Sequence, residues 1–173
     1  MSKSKNVEYW VEKLELAPHP EGGFYKQTFA SQEAVTDREL SVAFHNTRKL
    51  YTSIYFLLTD KNVSHFHRLK SDELWYFHAG ESLTVHVITE DGEYHQLKLG
   101  LNIENGERPQ VVVPKNSIFG SSVDQPDSYA LVGCMVSPGF DFEDFEMFTQ
   151  QELLNRYPKH EEIIQKLAYK ELP

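Results

Sequence analysis

Two histidines on alternate residues, His65 and His67, precede a glutamate, Glu73, and side chains of these types at this spacing could do chemistry. In an extended strand, residues i and i+2 point to one face roughly 7 Å apart, so both imidazoles are predicted to face one cavity. Two imidazoles and a carboxylate can bind a transition metal, or a neutral histidine can act as a base that the carboxylate orients. A structural role for both rings, hydrogen-bonded in the core or at its rim, is the alternative hypothesis.

Two further pairs of residues are candidates for ligand binding. Trp75 and Phe77 alternate along the strand after the glutamate, and packing in the core is favoured over lining an apolar ligand cavity. His19 and Glu21 lie in the segment 18–23, where two prolines and two glycines favour a shaped loop that could hold both side chains at a cavity mouth. A loop that only leads into the next strand is an equal alternative.

Several other reactive residues are assigned structural roles. Strand parity predicts His78 and His86 at the surface or at an interface. Cys134 lies in the apolar run 129–136, which predicts a buried strand. Because it is the single cysteine, a disulfide within the chain is excluded. Packing is therefore favoured over thiol catalysis. Residues 139–146 mix aromatic and acidic side chains, which favours a strand edge or a subunit interface.

The elements that must position these residues are mostly strands. Short runs rich in β-branched and aromatic residues alternate with turn residues, and Asp91-Gly92 is the clearest hairpin turn. So many short strands, with no helical pattern between them, predict an antiparallel sandwich, jelly roll or barrel. The predicted strands are 24–29, 51–58, 63–68, 74–78, 83–89, 94–99, 110–113 and 129–136.

Helices are predicted only near the two ends of the sequence. An apolar stripe of period 3.6 predicts an opening helix that ends before Pro18, formed by Val7, Trp10, Val11 and Leu14. Thr149 and Glu152 have the spacing of a capping box, and Pro158 suits the first turn of a second helix. Residues 30–49 show no clear periodicity and are predicted to form a long surface connection.

Composition limits the classes of function. The 173 residues are predicted to form a single domain, 1–173, and carry a formal charge of -9. This charge and the absence of clustered Lys or Arg argue against nucleic-acid binding. No apolar run approaches the roughly 20 residues of a membrane span, and no signal-peptide pattern is present, so no membrane association and a cytoplasmic location are expected.

The stretch from His65 to Gly80 resembles the first motif of the cupin superfamily, in which a His-x-His pair precedes a glutamate and a glycine. More closely, the chain resembles the cupin-5 (DUF985) family, in the segments 16–23, 55–58, 66–68, 71–75, 109–110, 113–114, 131–134 and 138–145. The resemblance implies an all-β fold, the double-stranded β-helix or cupin jelly roll, with short N- and C-terminal helices. It also implies a homodimer with a ligand-sized cavity in each barrel.

The chain departs from the metal-binding pattern of that superfamily at two places. Five residues separate His67 from Glu73, more than the motif usually has. The second motif should supply a glycine and a histidine ligand, but Asn116 and Phe119 stand there. Asparagine tolerates the left-handed turn, whereas phenylalanine cannot bind metal. No cofactor is therefore expected; a divalent metal on His65, His67 and Glu73, with His78 or a carboxylate added, is the less favoured alternative.

By analogy with cupin-fold sugar-nucleotide epimerases, the resemblance suggests a small-molecule-binding protein that could be a metal-independent isomerase or epimerase for a carbohydrate-like substrate. His67 or His65 would remove a proton, and Glu73 or Asp72 would orient the base. A tyrosine, Tyr129 or Tyr76, would return a proton to the other face. Ligand contacts are expected from Trp75, Phe77, His19, Glu21 and Phe119. The alternatives are a non-catalytic ligand-binding cupin and, less favoured, a metal-dependent oxygenase, so the sequence leaves open whether the protein is an enzyme.

Overall fold

The computed structural model describes residues 6–36, 38, 40 and 44–173, and two antiparallel sheets dominate it. With strands numbered in chain order, the first sheet has the order β1 (Ala17–Pro18), β2 (Phe24–Ala30), β5 (Thr52–Thr59), β12 (Tyr129–Ser137), β7 (Asp72–Gly80) and β10 (Gln110–Val113). The second has the order β13 (Glu146–Met147), β6 (Ser64–Arg68), β11 (Ile118–Val123), β8 (Leu83–Ile88) and β9 (Tyr94–Leu99). The predicted all-β jelly roll is confirmed.

The main core lies between these two sheets because alternate residues of both point inward. Phe56 and Trp75 of the first sheet pack in the same cluster as Val85 and Phe119 of the second, and all four are almost fully buried. On β8, however, the opposite face is also covered. His86 is only 5% exposed, with Nδ1 2.6 Å from the Tyr94 hydroxyl, so its predicted surface position is wrong.

The terminal helices form as predicted and cover the outer faces of the sheets. The first, α1 (Val7–Leu14), is capped by Asn6 and packs its apolar stripe against the first sheet. The last two, α2 (Gln150–Arg156) and α3 (Glu161–Leu167), enclose a second apolar cluster against β6, β8 and β11. Thr149 and Glu152 make the reciprocal hydrogen bonds of the predicted capping box.

Part of the predicted surface connection 30–49 is a small sheet. Its strands β3 (Ala34–Val35) and β4 (Arg48–Lys49) pair in antiparallel register. Each strand has only two residues, so the sequence shows no periodicity that could predict it. Residues 37, 39 and 41–43 of this connection lie outside the described part of the chain. Asn116 adopts the left-handed conformation expected of it, with φ of 65°. In the described ranges, no helix has the length and apolarity that crossing a membrane requires.

Candidate functional site

A cavity of about 220 Å³ opens inside the barrel, and four buried titratable side chains line it: Glu21, His67, Glu73 and Cys134. It is smaller than the roughly 300–1,000 Å³ of sites for drug-sized ligands, so a ligand enclosed there would be small. A wider polar groove of about 670 Å³ lies elsewhere, and Phe77 lines this groove rather than the cavity. The cavity is lined by His19, Glu21, Tyr25, Gln27, Thr52, Ile54, Phe56, His67, Leu69, Glu73, Cys134, Val136, Phe140 and Phe142.

A β-bulge in β6 separates the two histidines of the His-x-His pair. Phe119 of β11 pairs with His67 and Ser121 with Ser64, so two β6 residues face the single residue Gly120 between these pairs. Because a bulge interrupts side-chain alternation, Ser64 and His67 both reach Glu21 in the cavity. His65 instead stacks on Tyr169 at 3.5 Å between ring centroids. The prediction that both imidazoles face one cavity is therefore wrong.

Glu21 and His67 meet inside the cavity, with 3.1 Å between Glu21 Oε2 and His67 Nε2. His67 Nδ1 lies 2.7 Å from the His65 carbonyl oxygen, which can only accept, so Nδ1 carries a hydrogen. The lone pair of His67 Nε2 then faces Glu21 Oε2 at 3.1 Å, a contact that needs a proton between the two atoms. Burial lowers the pKa of His67 to about 4 and raises the pKa of Glu21. Both directions favour a protonated Glu21 that donates to a neutral His67.

The loop before β2 holds His19 and Glu21 in the cavity lining. The backbone N–H of Glu21 donates to His19 Nδ1 over 3.1 Å, so the neutral His19 ring carries its proton on Nε2. Burial lowers the pKa of His19, which favours this neutral form. Gly22 has φ of 113°, and a Cβ there would lie 2.0 Å from the Val63 carbonyl oxygen. Only glycine therefore allows the loop to lie this close to β6.

Glu73 lines the cavity with a carboxyl group whose protonated form is favoured by burial. The side chain is 6% exposed, and among the described residues its Oε2 atom has no hydrogen-bond partner. Burial, followed by the nearby Glu21, raises the pKa of Glu73 well above its usual range, while the Cys134 thiol hydrogen-bonds to it. Burial also raises the pKa of Cys134, so this thiol is not a nucleophile at neutral pH. An unpartnered O–H can donate to a ligand oxygen.

The mouth of the cavity is aromatic. Phe140 and Phe142 line it, and Phe142 is 53% exposed in a short 3₁₀ turn, Phe142–Asp144. Arg48 anchors this turn through a buried bidentate pair, with Nε 2.7 Å from Asp144 Oδ2 and Nη2 3.0 Å from Oδ1. Within 139–146, which the sequence predicted as a strand edge or a subunit interface, only Glu146 lies in a strand, β13, and residues 142–144 form the turn.

Several candidate residues lie outside the cavity lining. Trp75 and Phe119 pack against each other in the core at 6.4 Å between ring centroids. The Tyr129 hydroxyl accepts a hydrogen bond from Trp10 Nε1 under helix α1, so Tyr129 cannot return a proton to a ligand in this cavity. None of the other candidates on β7 lines the cavity, because all of them have the strand parity opposite to Glu73; they are Asp72, Tyr76 and His78.

The lining also includes residues that sequence reasoning missed. Tyr25 and Gln27 alternate on β2 directly after the glycine loop, so their shared parity with the cavity face was a usable signal. Phe140 and Phe142 gave no such signal, because they follow the last long strand in a turn whose position depends on Arg48.

The described side chains do not fit a cupin-type metal centre. Among them, no group of three His, Cys, Asp or Glu residues is arranged to hold a metal ion. His65 is turned away by the bulge, and Phe119 packs on His67 at 4.2 Å where another imidazole would be needed. The Nε2 atom of His67 already contacts Glu21. No step through a metal is therefore derived for this cavity.

The chain is similar to a protein family and to several individual proteins over most of its length. The model described as Cupin superfamily (DUF985) matches residues 8–148. Protein SO0799 from Shewanella oneidensis has 51% sequence identity and a TM-score of 0.86, over 96% of this chain and 99% of that chain. A hypothetical protein from Leishmania major has 44% identity and a TM-score of 0.88, over 95% and 99%. The uncharacterised protein YML079W of Saccharomyces cerevisiae is 31% identical over 149 residues, 80% of this chain and 73% of the relative.

A more distant likeness extends to oxalate decarboxylase from Bacillus subtilis. One structure of that enzyme has 18% identity and a TM-score of 0.55, and the match covers 91% of this chain but 38% of the enzyme. At this identity the likeness concerns the fold alone.

Proposed function

The chain belongs to the DUF985 family of the cupin superfamily, and on this premise we propose that its cavity binds a small carbohydrate-like carbonyl compound and isomerises it without a metal. One observation carries the proposal. The buried pair of Glu21 and His67, 3.1 Å apart, lines the same small cavity as Glu73, whose Oε2 atom has no hydrogen-bond partner among the described residues. Titratable groups held in different protonation states in one cavity suit acid and base catalysis.

In the proposed reaction, the proton of Glu21 moves to His67 Nε2, which leaves a carboxylate on Glu21. This carboxylate removes a proton from the carbon next to the substrate carbonyl, and the protonated Glu73 donates a hydrogen bond to the carbonyl oxygen. Glu73 gives its proton to this oxygen, which forms a neutral enediol. Glu21 then returns its proton to the former carbonyl carbon while the other hydroxyl gives its proton to Glu73, so the carbonyl has moved to the neighbouring carbon, and His67 returns its proton to Glu21. The sequence assigned the base to His67 or His65 and the orienting role to Glu73 or Asp72. In the proposed reaction Glu21 is the base, His67 holds its proton, and Glu73 donates to the carbonyl oxygen.

A single shuttling base favours an isomerase over an epimerase. An epimerase needs a donor on the opposite face of the substrate, and Tyr129, the sequence candidate for that role, does not line the cavity. Isomerisation between neighbouring carbons needs only one group that takes and returns the proton. Tyr25 is the tyrosine in the lining, and it would be the donor if both faces were used.

Solvent deuterium exchange tests the proposal. In D₂O, the protein should catalyse incorporation of deuterium at the carbon next to the carbonyl of a small ketose. NMR measures the rate of this incorporation. His67→Ala should reduce the rate by about 100-fold or more, the usual contribution of acid–base catalysis. His95→Ala, at an exposed histidine of β9, is the matched control and should leave the rate unchanged. Equal rates in both variants would contradict a role for His67.

A non-catalytic binding protein is the second candidate, and the aromatic mouth formed by Phe140 and Phe142 favours it. In that case a bound small molecule would be recovered unchanged after incubation with the protein, with no deuterium incorporated. His19 and Glu73 would then only donate hydrogen bonds to it.

The remaining expectations stay predictions. A homodimer is expected from the family resemblance, and sedimentation velocity would detect it. The proposed independence from metal predicts full activity in protein purified without an affinity tag and treated with a chelator. The cytoplasmic location is likewise an expectation from the sequence.

A further inference from the structure

The charge of the cavity lining limits what can bind there. Two buried carboxyl groups, Glu21 and Glu73, line the cavity, whereas none of its described lining residues is Lys or Arg. The two lining histidines, His19 and His67, are favoured as neutral by their burial. The lining therefore supplies hydrogen-bond donors and aromatic faces but no fixed positive charge.

Two cations, Arg48 and Lys70, lie beside the turn that carries Phe142 and are already engaged by carboxylates. Arg48 lies 2.7 Å from Asp144 and 3.1 Å from Glu143, and its side chain is 2% exposed. Lys70 lies 3.8 Å from the same Asp144. An anionic ligand group at the mouth would have to compete with these carboxylates for Arg48, and among the described lining residues of the cavity it would find no Lys or Arg.

We propose that the cavity admits uncharged carbonyl compounds of a few carbon atoms and excludes phosphorylated, carboxylated and nucleotide-linked ones. The carbonyl part of this substrate class rests on the proposed function; the charge selectivity rests on the lining alone. Burial of an unpaired anion is strongly unfavourable, while the N–H of His19 and the O–H of Glu73 can donate to neutral hydroxyl or carbonyl oxygens. The volume of about 220 Å³ sets the size limit.

A pair of probes that differ in one phosphate tests the charge selectivity. Dihydroxyacetone and dihydroxyacetone phosphate both enolise, so the whole protein is incubated with each in D₂O, and exchange and binding are followed by NMR. We expect exchange and binding of dihydroxyacetone to exceed those of the phosphate by at least about tenfold. Equal or stronger binding of the phosphate would overturn the inference.

The outcomes separate the inference from the proposed function. Selective binding of dihydroxyacetone without any exchange would support the charge selectivity and refute the isomerase. Exchange of the phosphate that His67→Ala abolishes would support the isomerase and refute the charge selectivity. Absence of binding and exchange for both probes would overturn both proposals.

A charge introduced at the rim provides a second measurement. Gln27 lines the cavity on an exposed part of β2, so Gln27→Lys should fold and place an ammonium group there. It should raise the binding of dihydroxyacetone phosphate relative to dihydroxyacetone by several-fold. The matched control, Gln27→Met, has similar length without the charge and should leave this ratio unchanged. Equal ratios in the two variants would refute the electrostatic cause.

Discussion

Burial determines the protonation state of each residue at the candidate site. Glu73 and Glu21 have raised pKa values and His67 a lowered one, and burial is the largest cause in all three cases. The residue types alone could not show this, because the same glutamate at the surface would be ionised at neutral pH. The sequence indicated Glu73 and His67 as candidates, and the structure adds that burial favours the neutral form of both.

Glu73→Gln should stabilise the protein increasingly as the pH rises. A raised folded pKa means that the folded state binds more protons than the unfolded state, so wild-type stability falls between the ordinary glutamate pKa and the raised one. Glutamine cannot ionise, so the variant should gain about 1.4 kcal/mol for each unit by which the pKa is raised. Urea unfolding at about pH 5 and about pH 8 measures the difference.

Glu90→Gln, at an exposed position, is the control for Glu73→Gln and should show the same stability as wild type at both values of pH. If Glu73→Gln changed stability equally at both values of pH, the side chain would not be held protonated by the fold.

At the scale of elements, the strands could be predicted from sequence but the bulge in β6 could not. Alternation and turn residues identify eight of the strands within about two residues, since they are local properties, but they missed β11 and the four two-residue strands. The bulge depends on the pairing of β6 with β11, and a Cβ at Gly120 would lie 2.5 Å from the Ser64 carbonyl oxygen. Because that pairing joins distant segments, strict alternation misplaced His65 while it placed His67 correctly in the cavity lining.

The turn Phe142–Asp144 depends on a buried ion pair, and this gives a prediction for Arg48→Met. Loss of Arg48 leaves the buried carboxylate of Asp144 without its main partner, so the free energy of unfolding should fall by about 3–5 kcal/mol. The double variant Arg48→Met, Asp144→Leu removes both charges and should recover most of this loss. Urea denaturation of the two variants measures the difference. A double variant less stable than Arg48→Met would contradict the pairing.

For the whole molecule, buried histidines should make the fold sensitive to acid. Burial lowers the pKa of both His67 and His86 from 6.5 to about 4, so the unfolded chain binds more protons than the folded one in this range. Stability should therefore fall as the pH falls from 6.5 to 4, by roughly 3 kcal/mol for each histidine. Denaturation at several pH values measures this slope.

His86→Gln should flatten the acid slope, because glutamine can replace the hydrogen bonds to Tyr94 and Ser122 without titrating. His95→Gln changes an exposed histidine and should keep the wild-type slope. An unchanged slope in His86→Gln would assign the acid sensitivity to other groups.

The whole fold was more predictable than its cavity. The jelly roll follows from strand number, turns and resemblance, all of which extend over most of the chain. The cavity instead combines single residues from segments far apart, such as Glu21, His67 and Phe142. No local pattern reports which of these meet, so only some of the candidate residues line it.

The stacking of His65 on Tyr169 gives the C-terminal segment influence over the cavity. Tyr169 also donates a hydrogen bond from its hydroxyl to the Pro20 carbonyl, and His65 Nδ1 lies 2.7 Å from the Glu21 carbonyl oxygen. The segment that follows α3 thus contacts the loop that carries Glu21 and helps to hold it in position. A substitution at position 169 should therefore shift Glu21 within the cavity, although Tyr169 is not itself one of the lining residues.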